Sequence, residues 1–356
     1  MRVAADNRVL KVTGGRRASG PRALRDITNT GDNGKDPLLG AGAAFSGKAF
    51  ATGPYECMKP RASQASSGAS QGTTCSTRTS TPPTFDQVKQ DDDENCPRNP
   101  QNVAEYAHDI YGMLERYEGH RLPGCNYMDR QPDLNAKMRA ILVDWLVEVG
   151  MKHKLKRETL FLTVNLIDRF LDQRQTMRQR LQLVGVSAML IASKFEEIYP
   201  PDVRDFVYIT ANAYSKEDIL QMEVLILTDL KFAICVPTPA HFLERFQRLN
   251  QCPKDSAHRH LLHYLLELSL MDFQMIRYEP SHLVAAATLL SNKLMKQQPS
   301  WPPMVARHCK FDLPAVRDCA QEMCSILEAA QKSPLQAVRK KFSHVDFCSV
   351  ATLPWW

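Results

Sequence analysis

From about residue 102 to the C-terminus, apolar residues recur at intervals of three and four positions, the spacing of one face of an α-helix. One such stripe covers residues 138–149 and another covers residues 160–171. Residues 183–192 are apolar on every side, a pattern typical of a buried central helix. Ser215, followed three positions later by Asp218, is a signal for a helix N-terminus. Alternation of the strand type is sparse, so the pattern predicts an all-α fold.

The helical pattern occurs twice. Residues 183–190 (LVGVSAML) are echoed by residues 283–290 (LVAAATLL), and residues 162–168 (LTVNLID) are echoed by residues 266–272 (LELSLMD). The two echoes follow in the same order along the chain. They predict two tandem helical bundles of about 100 residues each, with a boundary near Val236.

The first 100 residues differ in composition from the rest. They hold 11 of the 16 glycines, and residues 63–84 are mostly Ser, Thr, Gly, Gln, Ala and Pro. Such a segment buries too little apolar surface to offset its ordering entropy. We therefore predict four parts: a disordered regulatory tail at 1–100, a first bundle with a preceding helix at 101–235, a second bundle at 236–345, and a C-terminal tail at 346–356.

Charge and cysteine usage exclude several classes. The net charge of +6 is mild and shows no clustered basic stripe of the kind that nucleic-acid binders carry. No apolar run approaches the roughly 20 residues that span a bilayer. The ten cysteines are scattered without a C-x-x-C pair, which argues for a reducing compartment, the cytoplasm and nucleus, and against a zinc ribbon. We expect no metal and no cofactor.

Several strings resemble the cyclin box. Residues 138–149 (MRAILVDWLVEV) look like its first helix, and residues 166–171 (LIDRFL) and 181–185 (LQLVG) resemble its second and third helices. Residues 192–201 (ASKFEEIYPP) are the most specific string, and residues 264–273 are similar to mitotic cyclins of the B type. The resemblance covers about residues 102–345.

This resemblance implies two tandem five-helix cyclin boxes preceded by an N-terminal helix. It further implies a regulatory subunit, not an enzyme, that binds and activates a cyclin-dependent serine/threonine protein kinase and controls the passage from G2 into mitosis. The alternative from another class is a two-repeat helical transcription factor that binds DNA, although the basic helices of that class are missing. No P-loop, G-x-S-x-G, H-E-x-x-H or kinase signature is present.

Lys194 and Glu223 are the candidate polar contacts to the kinase. The resemblance implies that both hydrogen-bond backbone groups of the kinase, and Lys supplies donors whereas Glu supplies acceptors. From the residues alone, an ion pair within the chain is the favoured interpretation, and only the resemblance favours contact with the kinase. The apolar contacts implied around them, each of which could instead be a core residue, are Phe195, Ile110, Tyr106 and Phe232.

The first apolar stripe could face the core, which is the usual fate of such a stripe. The resemblance implies instead that part of it forms a shallow groove, which docks substrates or inhibitors that carry an Arg-x-Leu motif. The residues implied are Met138, Ile141, Leu142, Trp145, Glu148 and Gln182.

Asp144 is a carboxylate on a mostly apolar helix, and a buried carboxylate needs a partner. By the matching family position, we expect a structural ion pair between Asp144 and Arg178.

Residues 22–29 (RALRDITN) resemble the destruction box of mitotic cyclins, with Arg22, Leu24 and Asn29 as its elements. The family motif places its Arg three positions before the Leu, where this chain has Pro21. The alternative is an accidental basic stretch in a disordered tail. If the motif is a degron, the ubiquitin ligase machinery is a further partner.

Overall fold

The structure is a computed structural model that describes residues 103–252 and 256–355, apart from the side chain of Ala104. The described residues are helical and contain no strand, which confirms the all-α prediction. None of the described helices is both long and apolar enough to cross a lipid bilayer. A first helix, α1 (Ala107–Glu118), precedes two bundles of five helices each.

The first bundle contains α2 to α6. Asn135 caps α2 by accepting a hydrogen bond from the backbone N–H of Met138. Ser215 and Asp218 form the reciprocal capping box of α6, which confirms the N-terminus predicted there. The five helices are Ala136–Lys152, Arg157–Gln173, Arg178–Glu196, Val203–Ile209 and Lys216–Asp229.

Helix α4 is the buried centre of the first bundle, as its apolar pattern predicts. It packs against α2, α3, α5 and α6, and residues 181–193 are all buried. Gly185 permits the closest approach, because a Cβ atom there would lie 2.7 Å from Cδ1 of Leu142. The glycine therefore lets α2 pack directly on the backbone of α4.

The second bundle repeats this plan with α7 to α11. Its central helix, α9, holds the echoed string 283–290, and every residue from 280 to 292 is buried. Helix α9 packs against α7, α8 and α11. The five helices are Pro239–Leu249, Ala257–Ser269, Pro280–Leu294, Pro303–His308 and Leu313–Ala330.

A buried ion pair joins the two bundles. Arg139 on α2 is 2% exposed, and its Nε and Nη2 donate to the two carboxylate oxygens of Asp168 on α3 at 2.6 and 2.7 Å. The hydroxyl of Tyr127 donates to the same carboxylate at 2.8 Å. The Nη1 of Arg139 then reaches the carbonyl of Leu270 in the second bundle at 2.8 Å. One guanidinium therefore satisfies acceptors in both bundles.

The charges in this network reinforce each other. Burial and then the negative charge of Asp168 raise the pKa of the Tyr127 hydroxyl well above its ordinary value, so it stays a donor. Burial alone would lower the pKa of Arg139, but the charge of Asp168 more than offsets this and raises it. Arg139 therefore keeps its positive charge although it is buried.

Helix α1 is anchored to the second bundle by its last residue. The buried carboxylate of Glu118 accepts from the backbone N–H and the hydroxyl of Ser281, at 2.8 and 2.6 Å, in the first turn of α9. Lys310 reaches the same carboxylate at 2.5 Å. An acidic group at a helix N-terminus is favoured by the unpaired N–H groups and the helix dipole.

The C-terminal segment returns to the first bundle. Helix α12 (Ala337–Phe342) packs on α2, and the backbone N–H of Ala337 donates to Asp144 at 2.8 Å. A short 3₁₀ helix, Val350–Thr352, then lies on α8. Trp355 packs against the core, while Trp356 lies outside the described residues.

Replacing Asp168 is expected to be severely destabilising, because it leaves the buried guanidinium of Arg139 uncompensated. Asp168→Asn should lower the free energy of unfolding by about 3–5 kcal/mol, measured by urea denaturation. Asp229→Asn is the matched control, since Asp229 forms a similar two-point pair with Arg174 near the surface. That loss should stay below about 1 kcal/mol, and equal losses would show that burial of the pair is not what matters.

Candidate functional site

Lys194 and Glu223 meet at the surface of the first bundle. Lys194 lies in the last turn of α4 and Glu223 in the middle of α6, and the Lys194 Nζ donates to Oε1 of Glu223 at 2.6 Å. The lysine side chain is half exposed, while the glutamate is mostly covered. The ion pair within the chain is therefore present. It uses one ammonium proton and one carboxylate oxygen, which leaves two protons and the second oxygen for other partners.

The four apolar residues considered with this pair are all exposed. Phe195 is 50% exposed beside Lys194, and Phe232 is 69% exposed just beyond the end of α6. Tyr106 and Ile110, at the start of α1, are also exposed. The alternative of four core residues is therefore wrong for this chain. These four residues lie on three elements, the start of α1, the end of α4 and the segment after α6, and exposed large apolar side chains that form a patch are typical of a docking surface.

The backbone holds Phe232 in its exposed position. Lys231 and Phe232 both have left-handed conformations, with φ of 53° and 55°, and neither is a glycine. Each such residue costs of order 1 kcal/mol. The Phe232 N–H still closes the helix end by donating to the carbonyl of Leu227 at 2.8 Å.

Two further exposed residues lie close in sequence to Lys194, and the sequence pattern did not indicate their exposure. Ile198 and Tyr199 follow α4 directly, and Tyr199 is 91% exposed. The preceding residue, Glu197, anchors this segment to the start of α3. Its carboxylate accepts hydrogen bonds from the N–H of Lys156 at 2.7 Å and from the hydroxyl of Thr159 at 2.5 Å. The string that resembles the cyclin box thus combines exposed apolar residues with a carboxylate that caps α3.

The stripe considered as a docking groove is partly open. Met138 and Ile141 are half buried and Glu148 is exposed, whereas Trp145 and Gln182 are buried. Leu142 has no exposed surface and packs towards Gly185, which places it in the core and not on the wall of a groove.

Two buried polar groups in this region lack hydrogen-bond partners. They are the indole N–H of Trp145 on α2 and the amide nitrogen of Gln182 on α4, two helices that pack on each other. Both side chains are 5% exposed. A buried donor without an acceptor is costly, so both groups are suited to a ligand that brings carbonyl oxygens.

The predicted ion pair between Asp144 and Arg178 is not formed. The Arg178 Nε and backbone N–H donate instead to Asp133, at 2.6 and 2.7 Å, and this hydrogen bonding holds the pKa of Asp133 below its ordinary value. Burial raises the pKa of Asp144, opposed by the hydrogen bond from Ala337. Asp144 thus caps α12, a partner 193 positions away that no local pattern indicates.

The destruction-box residues Arg22, Leu24 and Asn29 lie outside the described residues. Within the described part of the chain, no group of three His, Cys, Asp or Glu side chains could hold a metal ion. The imidazole of His263 is within hydrogen-bond distance of Arg157 and Gln247, at 2.6 and 2.8 Å.

Comparison with known proteins identifies the class. Residues 109–235 match the family described as "Cyclin, N-terminal domain", and residues 237–355 match "Cyclin, C-terminal domain". The first match contains the first five-helix bundle and most of α1, and the second contains the second bundle, α12 and the C-terminal segment. The chain therefore belongs to the cyclin family.

Its relatives belong to the mitotic group. The "G2/mitotic-specific cyclin-A" of Patella vulgata is 42% identical over 253 residues, which cover 71% of this chain and 59% of that protein. The "G2/mitotic-specific cyclin-B" of Arbacia punctulata is 42% identical over 269 residues, which cover 74% of this chain and 65% of that protein. The matched region thus spans less than two thirds of either relative, and A-type and B-type relatives are equally similar.

A solved structure shares the fold. A viral cyclin from herpesvirus saimiri superimposes with a TM-score of 0.54 at 18% sequence identity, and the match covers 61% of this chain and 97% of that one. At this level of identity the likeness concerns the fold alone.

Proposed function

We propose that this chain is the regulatory subunit of a cyclin-dependent serine/threonine kinase, that it activates the kinase and docks its substrates, and that it controls entry into mitosis in the nucleus and cytoplasm. The observation that carries the proposal is the Lys194–Glu223 pair with exposed Phe195 beside it. Family membership and the mitotic relatives support it.

The pair is suited to clamping a backbone segment. The free protons of Lys194 can donate to carbonyls of the partner, and the second oxygen of Glu223 can accept an N–H. Because the two side chains already hold each other, neither has to be ordered when the partner arrives. A preorganised contact of this kind loses less entropy on binding.

The proposed activation is conformational. In kinases, the ion pair between a strand lysine and the αC-helix glutamate must be assembled before phosphoryl transfer. A rigid apolar and charged face that packs on that helix would hold it inward and shift the kinase towards its active form. This chain adds no group to the chemistry in this proposal.

Truncating Phe195 is expected to weaken kinase binding without harming the fold. An exposed side chain contributes little to stability, so Phe195→Ala should change the free energy of unfolding by less than about 0.5 kcal/mol. Loss of an apolar anchor at the interface should cost at least about 2 kcal/mol, roughly thirtyfold in Kd. Calorimetric titration with a purified cyclin-dependent kinase measures the loss, together with the rise in kinase turnover.

Val345→Ala is the control for this test, because Val345 is also a strongly exposed apolar residue but lies in the C-terminal segment. Its Kd should match that of the unaltered chain. A double-mutant cycle on Lys194 and Glu223 then separates the clamp from the internal ion pair. A folded Lys194→Ala/Glu223→Ala chain that bound and activated the kinase normally would refute the clamp.

The groove on α2 and α4 is proposed to dock substrates that carry Arg-x-Leu. Gln182→Leu should remove an unpartnered buried donor and leave the fold at least as stable, yet weaken phosphorylation of an Arg-x-Leu substrate severalfold. A short peptide substrate without the motif should be unaffected, because remote docking only raises local substrate concentration. Equal loss on both substrates would contradict the docking role.

Residues 22–29 are proposed to direct destruction by the ubiquitin ligase machinery. Leu24 is the apolar residue that matches the motif, so Leu24→Ala should lengthen the half-life in an extract with an active cyclin-destroying ligase. Leu10→Ala is the control within the same segment. A half-life unchanged by Leu24→Ala but extended by deletion of residues 1–100 would place the degron elsewhere in that segment.

A further inference from the structure

A second surface cavity lies on the opposite side of α2 from the stripe that carries Met138. It encloses about 560 Å³ between the last turn of α2, the start of α3 and the segment that follows α12. Such a volume is within the range of ordinary ligand sites, about 300–1,000 Å³. We call it the Lys154 pocket.

The floor of the Lys154 pocket is apolar. Val147 and Leu160 are buried beneath it, and Leu155 and Phe347 are half buried at its sides. Met151 is exposed at its edge. A concave apolar floor of this size accepts one large apolar side chain.

A glycine keeps the pocket open. Gly150 lies in the last turn of α2, where a glycine costs roughly 0.5–1 kcal/mol relative to alanine. Neither conformation nor packing requires it, since its backbone is helical and a Cβ atom there would have no neighbour within 4 Å. The space that a side chain would fill is part of the pocket.

The rim of the pocket is basic. Lys154, Lys340 and Lys341 line it together with His344, and Asp346 is the one acidic residue in the lining. Lys341 is engaged by the buried carboxylate of Glu267 at 2.6 Å. Lys154 and Lys340 are exposed and form no salt bridge within the described residues, although Lys340 lies near enough to the Asp144 carboxyl to oppose the rise in its pKa. The two exposed lysines would attract a ligand that carries negative charge beside its apolar anchor.

We propose that the Lys154 pocket binds an acidic peptide segment of a partner protein, with one large apolar side chain on the floor and flanking carboxylates on Lys154 and Lys340. The inference concerns a surface apart from Lys194, Glu223 and the groove, and it does not depend on the proposed kinase. A flat anionic membrane would meet the lysines but could not fill a concave floor. A peptide segment with one large apolar residue between acidic residues satisfies both features.

Peptide selection on the full chain tests this. A phage-displayed library of random short peptides is selected on the unaltered protein, with Gly150→Leu as the counter-selection target. A Cβ atom at this position meets no neighbour within 4 Å, so we expect the leucine to occupy the pocket, and leucine favours the helix over glycine. Peptides of the Arg-x-Leu type bind both proteins equally and are removed. The enriched peptides should share one large apolar residue flanked by Asp or Glu.

Lys154→Gly then separates binding from stability. Lys154 ends α2 in a left-handed conformation with φ of 54°, which favours glycine. The substitution should therefore raise the melting temperature, yet weaken binding of an enriched peptide about fivefold by removing one exposed ion pair. Lys296→Gly is the matched control, because Lys296 ends α9 in the same conformation, with φ of 56°. It should raise the melting temperature and leave the affinity unchanged.

Three outcomes would overturn the proposal. One is a selection that enriches no peptide over Gly150→Leu. Another is an enriched peptide whose affinity is unchanged, either when its own apolar residue is replaced by glycine or when the protein carries Lys154→Gly. The third is binding of anionic lipid vesicles with equal strength to the unaltered chain and to Gly150→Leu, together with displacement of the peptide from the unaltered chain, which would identify the site as a charged surface only.

Discussion

The structure depends on one buried guanidinium. Arg139 pairs with Asp168 across the first bundle and reaches the carbonyl of Leu270 in the second. An isolated charge could not be buried there, so its acceptors must all be in place at once. The pair therefore fixes the angle between α2, α3 and the end of α8. Because α2 also carries the groove residues and the floor of the Lys154 pocket, both surfaces are positioned by the same contact.

Apolar residues have two distinct uses in this chain. The central helices α4 and α9 bury theirs along residues 181–193 and 280–292, and small residues such as Gly185 set how closely neighbours approach. Three of the exposed residues at the candidate site lie where helices end: Phe195 in the last turn of α4, Tyr199 just after it, and Phe232 after α6. A helix end can direct a side chain outward because the chain must turn there anyway, and the core loses no packing by it.

The sequence predicted the fold well because helical periodicity, caps and the internal repeat are local patterns. Residues 183–192 and Ser215 were interpreted correctly on that basis. Long-range polar pairing was harder. Arg178 donates to Asp133 because that carboxylate lies beside the first turn of α4. Asp144 instead accepts a hydrogen bond from the backbone N–H of Ala337, far along the chain. Arg139 itself gave no signal, since a basic residue in an apolar stripe is usually interpreted as solvent-exposed. The exposure of Phe232 depends on two left-handed residues that no propensity indicates.

Each end of the described chain is held by the more distant of the two bundles. Helix α1 precedes the first bundle but is held by Glu118 to the second, whereas α12 follows the second bundle but is capped by Asp144 of the first. Each terminal helix is therefore held by the bundle that is farther from it along the chain. Although the chain repeats itself, neither repeat is complete on its own. Loss of the second would leave Asp144 without the N–H that it accepts, and loss of the first would leave the N–H of Ala337 without its acceptor. The two repeats should accordingly melt as a single cooperative unit, so a rigid relationship between their surfaces is maintained for as long as the protein is folded.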